Sequence, residues 1–384
     1  MGAKATERTR PRVLVWHWTW LPGSETFIRV QLETLNRWDG VAVGALRVPS
    51  AIARDDDVIL FAPTALGKIQ RTMFRLGIGD WIVTKRMKAL RPDVIHAHFA
   101  GDGFRVLRVA RRLGVPLVVT VHGADVTATP REPGWRGRRN RRRLRRVFRS
   151  AAHVIAVSHH IEREALRWGA EPSRMSVIPI GVADHQFPEA RRAAHTVVAV
   201  GRFVPKKGFD YLLRALGELD PPLRDVVRLR LIGDGPERDK LVRMARELGV
   251  MTDFLGFVPP AQVAREMTTC TVVAVPSVTA PNGDTEGLPT VVFEALRAGT
   301  PVIGFRHAGI PEAVDDGVSG LLAQEGDISG LARNCAQVLC DPGYATRLGI
   351  GARLAFEERF DAAVQTAHLQ DVYDSVTRSE REQS

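Results

Sequence analysis

The sequence predicts an α/β protein made of two Rossmann-like, doubly wound parallel-sheet domains. The chain has 384 residues, enough for two or three domains of ordinary size. Short apolar runs that end in Gly, Asp or His alternate with longer segments of helical period, which is typical of parallel sheets flanked by helices. The alternation runs through each half of the chain separately, so we expect two domains of the same kind.

The first half of the chain holds five short apolar runs, several of them followed by a segment of helical period. The predicted strands are Arg12–Trp16, Val41–Leu46, Val94–Ala97, Pro116–Val121 and His153–Val157. The predicted helices include Phe27–Trp38 and Phe104–Leu113. We assign residues 1–188 to this first domain.

The second half repeats the pattern after a segment in which Pro, Gly and charged residues cluster without periodicity, residues 178–195. Its predicted strands are Thr196–Val200, Arg228–Ile232, Asp253–Leu255, Val272–Val275 and Pro301–Ile303. Its predicted helices include Phe209–Leu216, Glu237–Leu248, Thr290–Ala298 and Ile328–Leu339. We assign residues 189–360 to this second domain. The carboxyl ends of both sheets are expected to face a shared cleft, so the loops after the strands should carry the function.

The composition excludes several classes of protein. Hydrophobic residues make up 45% and charged residues 25%, which excludes a disordered chain, collagen and a small disulfide scaffold. Three cysteines without a CxxC pair fit a reducing cytoplasm, and no apolar run is long enough for a membrane span or a signal peptide. The net charge of +11 predicts an anionic partner: nucleic acid, a membrane surface or phosphorylated substrates.

Two acidic residues, Glu286 and Glu294, stand with seven residues between them. Pro289 suits the first turn of a helix, so Glu286 is predicted in the preceding loop and Glu294 in the helix body. Glu294 lies among apolar residues, where sugar hydroxyls could satisfy its carboxylate; the alternative is that it emerges on the solvated side of the helix. The free amides at residues 287–290 would attract phosphate.

A glycine-rich basic loop, Gly201 to Gly208, lies between a predicted strand and a predicted helix. Its glycines allow tight turns, while Arg202 and Lys207 suit a diphosphate; the alternative is a solvated basic turn. The P-loop pattern is absent. The Gly-x-Gly turns at Gly101 and Gly233 lack the third small residue of a dinucleotide fingerprint, which disfavours a nicotinamide dehydrogenase.

Histidines mark the ends of two strands in the first half. His122 ends an apolar strand three residues before Asp125 and could contact a substrate or leaving group near neutral pH, although a lone histidine there is more often structural. His96 and His98 share one side of a strand, as two metal ligands would. No third ligand is indicated nearby, so we interpret them as structural or as cleft wall and predict no metal site.

The segment Arg136 to Arg149 is densely basic, and Leu144, Val147, Phe148 and Ala151 are spaced as one helical face. Such a helix could seat its apolar stripe on the domain and offer its arginines to anionic lipid, with Trp135 as an interface anchor. A solvated basic face and nucleic-acid binding are the alternatives. Nucleic acid is disfavoured because aromatic RNA-binding motifs and zinc-finger spacing are absent.

In order and spacing, these motifs resemble the family 4 retaining glycosyltransferases of the GT-B fold, over nearly the whole chain. The first loop is similar to members that build exopolysaccharides of the colanic-acid type and other cell-surface glycans. The matching segments are Pro22-Gly-Ser-Glu-Thr-Phe-Ile, His122-Gly-Ala-Asp, Val157-Ser, Val177-Ile-Pro-Ile-Gly-Val, Gly201-Arg, Lys207-Gly, Gly233-Asp-Gly-Pro, Leu255-Gly-Phe-Val-Pro and the Glu286 to Glu294 pair.

The resemblance implies a hexosyltransferase that uses a UDP- or GDP-linked sugar, without a metal or other cofactor. Arg202 and Lys207 would hold the diphosphate and stabilise charge on the leaving group. Glu286 would contact the donor sugar and Glu294 the ribose, while His122 would approach the reacting face of the sugar. The other implied donor contacts are Gly201, Gly233, Phe257, Val258, Gly287, Leu288 and Pro289.

The resemblance assigns acceptor binding to the first domain. The implied residues are Gly23, Ser24, Glu25, Thr26 and Asp125, and Asp125 would also shape its loop. Ser24 replaces the second glycine of a Gly-Gly pair that many members carry, so this loop is assigned to the acceptor rather than to phosphate. The C-terminal helix, within residues 361–384, would cross back onto the first domain.

We therefore predict a cytoplasmic glycosyltransferase, peripheral on the inner face of the cell membrane, with a lipid-linked or polysaccharide acceptor. Two alternatives stay open at this point. One is a noncatalytic basic protein that binds nucleic acid. The other is a phosphorylase or epimerase built on the same fold.

Overall fold

A computed structural model describes residues 9–22, 25–50, 52–184 and 192–383. The chain divides into two compact units: unit 1 comprises residues 1–157, 161–183 and 362–384, and unit 2 comprises residues 158–160 and 184–361. The predicted boundary at 188/189 lies outside the described residues. Within those residues, no helix is long and apolar enough to cross a membrane.

Unit 1 contains a parallel seven-stranded sheet with the order β3-β2-β1-β4-β5-β6-β7. Every residue of β4 and β5 is buried, as expected for strands covered on both faces. The strands are β1 Arg12–Trp20, β2 Asp39–Arg47, β3 Val58–Ile59, β4 Val94–His98, β5 Leu117–Val121, β6 His153–Ala156 and β7 Met175–Val177. The helices are α1 Thr26–Thr34, α2 Ala65–Arg75, α3 Asp80–Ala89, α4 Ala100–Leu113, α5 Gly134–Ser150, α6 His159–Arg167 and α15 Ala362–Gln383.

The two faces of this sheet carry separate cores, because successive side chains of a strand point to opposite faces. Leu14 and Trp16 of β1 join one apolar cluster, while Val13 and Val15 join the other. The second cluster includes Tyr373 of α15, so the C-terminal helix contributes to the core of unit 1.

The predicted helix Phe27–Trp38 is too long. Helix α1 ends at Thr34, since Leu35 leaves the helical region with φ −59° and ψ 127°. Trp38 instead packs against Tyr373 with ring centroids 5.3 Å apart, and its Nε1 donates to Asp374 at 2.8 Å. The predicted strand Arg12–Trp16 is too short, because β1 continues to Trp20 along β2.

Unit 2 contains a parallel six-stranded sheet with the order β10-β9-β8-β11-β12-β13. Its strands are β8 Thr196–Val200, β9 Arg228–Ile232, β10 Thr252–Gly256, β11 Val272–Val275, β12 Val302–Phe305 and β13 Gly320–Ala323. Its helices are α7 Phe209–Gly217, α8 Pro221–Arg224, α9 Arg238–Glu247, α10 Pro260–Thr269, α11 Thr290–Arg297, α12 Ile310–Ala313, α13 Ile328–Cys340 and α14 Pro342–Arg359.

Both sheets reverse their strand order at one point, between β1 and β4 in unit 1 and between β8 and β11 in unit 2. Connections on the two sides of such a point leave in opposite directions and open a crevice at the carboxyl ends of the strands. The residues that follow β1, β4, β8 and β11 are therefore the first places to look for a site.

Candidate active site

The loop after β8 is held in place by two glycines. Gly208 has φ 63°, and a Cβ there would overlap the carbonyl oxygen of Pro276, which follows β11. Gly233 after β9 has φ 128°, and a Cβ there would overlap the carbonyl oxygen of Gly201. The loops after β8, β9 and β11 therefore lie backbone against backbone at the carboxyl edge of the sheet, and this close approach leaves room only for glycine at both positions.

This packing places the two lysines of the loop beside the acidic segment that precedes α11. Nζ of Lys207 lies 3.0 Å from Oε1 of Glu286. Nζ of Lys206 lies 3.1 Å from Oδ2 of Asp284 and 3.9 Å from Glu286. Arg202 is exposed, and no described residue lies within ion-pair distance of its guanidinium. The loop thus brings Lys207 to Glu286 and leaves Arg202 open to a ligand.

The lysines determine the ionisation of Glu286. Burial alone would raise the pKa of this carboxyl, but the charges of Lys207 and Lys206 and the hydrogen bond from Lys207 outweigh burial and hold the pKa below its ordinary value. Glu286 is therefore a carboxylate near neutral pH. A carboxylate only accepts hydrogen bonds, so it suits the hydroxyl groups of a sugar.

The remaining predicted donor residues surround this pair or lie farther along the sheet edge. Glu294 lies in the body of α11, half-buried, and burial raises the pKa of its carboxyl against the opposing charge of Arg297. Gly287, Leu288 and Pro289 lead into α11, and Leu288 is buried. Phe257 and Val258 follow the edge strand β10, where Phe257 is 84% exposed.

A buried histidine that the motifs did not reveal, His307, lies just after β12. Its Nδ1 is 3.0 Å from Oε2 of Glu325, and Oε1 of Glu325 accepts the backbone N–H of Thr279 at 2.6 Å. Burial would raise the pKa of Glu325, but these hydrogen bonds hold it below its ordinary value. The Glu325 carboxylate therefore accepts from Nδ1–H of His307.

The other ring nitrogen of His307 is unused. Nε2 is buried, and no described residue bonds it; the same holds for Oγ of Ser277, which follows β11. Buried polar atoms without partners are costly, and a bound ligand is one way in which they can be satisfied. His307 also helps to lower the pKa of Glu286, which places it close to the Lys207–Glu286 pair. The useful sequence signal was its position directly after an apolar strand.

The carboxyl edge of unit 1 has a different character. Nε2 of His122 lies 3.0 Å from Nδ1 of His98, and Nε2 of His98 lies 3.0 Å from Oε1 of Gln31. Burial lowers the pKa of His122 to about 3, so its ring is neutral. The ring packs between Phe27 and Phe99, with centroids 5.0 and 4.5 Å away. His122 thus offers a neutral, rigidly held ring.

Asp125 stabilises the loop that follows His122. Its carboxylate accepts backbone N–H groups from Ala100, His122 and Gly123 at 2.9 to 3.2 Å. Burial raises the pKa of Asp125, and these three hydrogen bonds oppose the rise. The carboxylate oxygens are therefore engaged in shaping the loop, and the acceptor role of Asp125 stays a prediction.

A charged histidine, His17, lies in β1 and was also missed. Its Nε2 is 2.9 Å from Oε2 of Glu25, and its Nδ1 is 2.8 Å from Oδ2 of Asp102. Burial would lower the pKa of His17, but the two carboxylates together raise it to about 9. The predicted acceptor residue Glu25 is thus tied to β1. Thr26 begins α1, whereas Gly23 and Ser24 lie outside the described residues.

His96 is a buried structural residue. Its Nδ1 and Nε2 each lie 2.7 Å from a hydroxyl, of Tyr373 and Thr120 respectively. Burial lowers its pKa to about 3. Across the residues that the structure describes, no three His, Cys, Asp or Glu side chains are grouped as metal ligands.

Comparison with known proteins identifies the family. Residues 23–186 match the family described as Glycosyltransferase Family 4, and residues 183–355 match Glycosyl transferases group 1. The D-inositol 3-phosphate glycosyltransferase of Frankia alni is 34% identical over 294 residues, which cover 68% of this chain and 69% of that protein. The amylovoran biosynthesis glycosyltransferase AmsK of Erwinia amylovora is 25% identical over 319 residues, covering 76% and 72%.

A solved structure shows the same architecture. The crystal structure of Anabaena HepE in complex with UDP has a TM-score of 0.75 and 22% identity, covering 95% of this chain and 100% of that chain. Two parallel sheets with these strand orders therefore define a protein of the GT-B fold.

The chain belongs to glycosyltransferase family 4 and is a glycosyltransferase. The resemblance predicted from the motifs is confirmed. A nucleic-acid-binding protein, a phosphorylase and an epimerase are not favoured by these matches. The roles of the individual site residues stay predictions.

Proposed function

We propose that this glycosyltransferase takes its sugar from a UDP- or GDP-linked donor and transfers it with retention of anomeric configuration, without a metal ion or other cofactor. The observation that carries the proposal is the Lys207–Glu286 ion pair at the switch point of unit 2. Lys207 lies in the same loop as the exposed Arg202. HepE, which has the same fold, was crystallised with UDP, and this supports a nucleoside-diphosphate donor.

The chemistry follows from the charges of this loop. As the sugar–phosphate bond breaks, negative charge grows on the leaving diphosphate, and the cations of Arg202 and Lys207 stabilise it. Lys207 exchanges part of its contact with Glu286 for phosphate oxygens. Glu286 is then free to accept hydrogen bonds from the sugar hydroxyls and orient the ring.

Retention requires the new bond to form on the face from which the diphosphate departs. The acceptor hydroxyl oxygen bonds to the anomeric carbon while the bond to the phosphate oxygen breaks. The hydroxyl proton passes to the departing phosphate oxygen, which is the base nearest to that face. The proposed role of His122 is to contact the donor sugar as a neutral, rigid hydrogen-bonding group.

For the acceptor we propose a lipid-linked or polysaccharide glycan, bound by unit 1 around Glu25 and Thr26. The relative AmsK is named for amylovoran biosynthesis and the Frankia relative for D-inositol 3-phosphate, which supports a hydroxyl-rich acceptor. The neutral histidines at the carboxyl edge of unit 1 suit such a group, because they exchange hydrogen bonds with hydroxyls without requiring a charged ligand.

We also propose that the enzyme works in the cytoplasm on the inner face of the cell membrane. The basic helix α5 would be attracted to the anionic lipids of that surface. Leu144, Val147 and Phe148 of this helix are buried in unit 1, so its apolar stripe is seated on the domain as predicted. Trp135 is 63% exposed, with the guanidinium of Arg139 5.1 Å from its ring. The exposed arginines of this helix are Arg136, Arg138, Arg139, Arg142, Arg145, Arg146 and Arg149. Each would contribute about 1 kcal/mol near an anionic surface.

Thermal unfolding with a panel of nucleotides tests the donor. We expect UDP or GDP to raise the Tm of the wild type by mass action and to raise it far less in Glu294→Ala. Glu247→Ala, an exposed carboxylate on α9, is the matched control and should respond like the wild type. The donor proposal fails when no nucleotide shifts the wild type.

Two further measurements test the chemistry with the donor that binds. NMR of the product should show the anomeric configuration of the donor sugar. Activity should survive prolonged treatment with a chelator. An inverted product would contradict retention, and activity that is lost with the chelator and returns with a divalent cation would contradict metal independence.

A further inference from the structure

Helix α2 and the start of α3 expose an unusual number of large apolar side chains. Most are more than half exposed, and we call this set the α2–α3 surface. It consists of Leu66 (64% exposed), Ile69 (57%), Met73 (37%), Leu76 (71%), Ile78 (54%) and Trp81 (66%). A group of exposed apolar side chains of this size within one short segment marks a candidate interaction site.

The exposed apolar side chains of α2 are not the ones with which this helix packs on the core of unit 1. Helix α2 already has an inward anchor, Phe74, which is 4% exposed and packs against Trp16, Trp18 and Phe61. Leu66, Ile69 and Met73 are spaced by three and four residues, which places them on one stripe of the helix. At 100° per residue these three positions lie about 80° to 140° from Phe74, so the stripe faces sideways and outward rather than toward the core that Phe74 contacts.

The charges around the patch are almost all positive. Between residues 65 and 89 the basic side chains are Lys68, Arg71, Arg75, Lys85, Arg86 and Lys88. Asp80 is the only acidic residue in that range; it is buried and pairs with Arg108 and Arg112 of α4. The surface therefore combines apolar side chains with uncompensated positive charge.

This surface lies close to the basic helix α5. The charge of Arg75 on α2 acts on Arg143 of α5 and helps to lower its pKa. Helix α4 links the two: Arg108 donates to the carbonyl of Gly77 between α2 and α3 at 3.2 Å, and Arg143 lies over the ring of Phe104 at 4.9 Å. One side of unit 1 thus carries an apolar patch next to an arginine-rich helix.

We propose that the α2–α3 surface inserts into the headgroup region of an anionic phospholipid membrane. Exposed apolar side chains together with Lys and Arg on the same segment are the combination that lets a helix lie in the plane of a membrane interface. A second copy of the chain would place the same positive charges opposite each other, which opposes a symmetric dimer. The inference rests on the proposed function for placing the enzyme at a membrane, and adds the element that enters it.

Flotation with lipid vesicles tests the proposal on the full chain. We expect the wild type to bind phosphatidylcholine vesicles that contain phosphatidylglycerol, and pure phosphatidylcholine only weakly. Replacing Leu66, Ile69 and Leu76 by Ser should weaken binding to the anionic vesicles by about tenfold or more. The matched control replaces Val226, Val318 and Ile350 of unit 2 by Ser; their exposure is 52%, 57% and 59%, and vesicle binding should stay unchanged.

A salt series separates insertion from electrostatic attraction. High salt should weaken wild-type binding by screening the arginines but leave a residual part that the α2–α3 variant lacks. Equal binding by the variant and the wild type, or no binding by the wild type, would overturn the proposal. So would a variant that binds vesicles normally but changes the mass of the particle in solution, since the patch would then be an interface between copies.

The vesicle assay and the donor assay fail independently. Vesicle binding needs no nucleotide sugar, and the UDP and GDP thermal shift needs no lipid. The α2–α3 variant should keep the wild-type nucleotide shift, which also shows that it is folded. Loss of the nucleotide shift in the wild type with intact vesicle binding would remove the proposed donor and leave the membrane surface standing.

Discussion

In unit 1 the ends of β4 and β5 bring His98 and His122 to 3.0 Å, whereas in unit 2 the loop after β8 brings Lys207 to 3.0 Å from Glu286. Burial makes the two histidines neutral, with the pKa of His122 lowered to about 3. The unit 2 pair stays ionised because the lysines hold the pKa of Glu286 low. Two sheets whose first six strands share one order thus carry a neutral histidine pair in one unit and an ionised Lys–Glu pair in the other.

The difference shows which part of this fold determines the ligand that each unit can bind. Strand order fixes only the place of the crevice, at β1/β4 and β8/β11. The residues just after those strands decide whether the crevice suits an anionic diphosphate or a neutral sugar. Three substitutions test this comparison, in order of decreasing effect.

Lys207→Ala should have the largest effect. Removing the cation that stabilises the leaving diphosphate should lower kcat/KM by roughly 100- to 1000-fold. The Tm should change little, because Lys207 is partly exposed and Lys206 remains near Glu286. Steady-state kinetics with the donor measures the loss. Lys240→Ala is the control, because its ammonium pairs with Glu237 at the start of its own helix α9 and with Asp210 of α7. Equal kinetics of the two variants would remove Lys207 from the donor site.

His17→Gln should change stability rather than donor chemistry. The pKa of His17 rises from 6.5 to about 9 on folding, so its stabilisation is fully present below pH 6.5 and is lost as the pH rises through about 9. That shift corresponds to roughly 3 kcal/mol. Denaturant unfolding from about pH 6 to about pH 10 should show the free energy of unfolding of the wild type falling over this window. The free energy of unfolding of the variant should change less with pH.

His153→Gln is the control for this pH series. Burial lowers the pKa of His153, so its effect on stability lies below pH 6.5, outside the window assigned to His17. If His17→Gln lost stability with rising pH as steeply as the wild type, another group would be responsible for the titration.

His307→Gln, in unit 2, should have the smallest effect of the three substitutions. Loss of the free Nε2 should raise the KM for the donor about tenfold, the cost of one hydrogen bond to a charged or polar ligand, with a smaller change in kcat. His368→Gln, an exposed histidine of unit 1, is the control. An unchanged KM would show that Nε2 faces no part of the donor.

The sequence indicated more of the Lys207–Glu286 arrangement of unit 2 than of the histidine contacts of unit 1, for a physical reason. Lys207, Glu286 and the glycines around them lie in short segments whose local pattern already implies a phosphate-binding loop. His17 has no such pattern, because its partners Glu25 and Asp102 come from distant segments. His307 depends in the same way on Glu325.

The errors in the fold also come from distant contacts. The apolar period of Leu32, Leu35 and Trp38 predicts that α1 continues, yet Gln370 accepts the backbone N–H of Arg37 at 2.7 Å and Trp38 packs on α15. Helix α2 was missed because most of its apolar side chains face outward rather than toward a core. The spacing of apolar residues within one segment cannot reveal the contacts with α15 or the outward orientation of the α2 side chains.

The place of α15 in unit 1 has a consequence for synthesis. Leu369, Val372, Tyr373 and Val376 complete the apolar cluster formed by Val13, Val15 and Trp38, yet 178 residues separate Ala183 from Ala362. At translation rates of about 5 to 20 residues per second, the ribosome needs roughly 10 to 40 seconds to make that intervening stretch. During that interval unit 1 lacks α15, so the apolar face formed by Val13, Val15 and Trp38 stays uncovered until the end of the chain has been made.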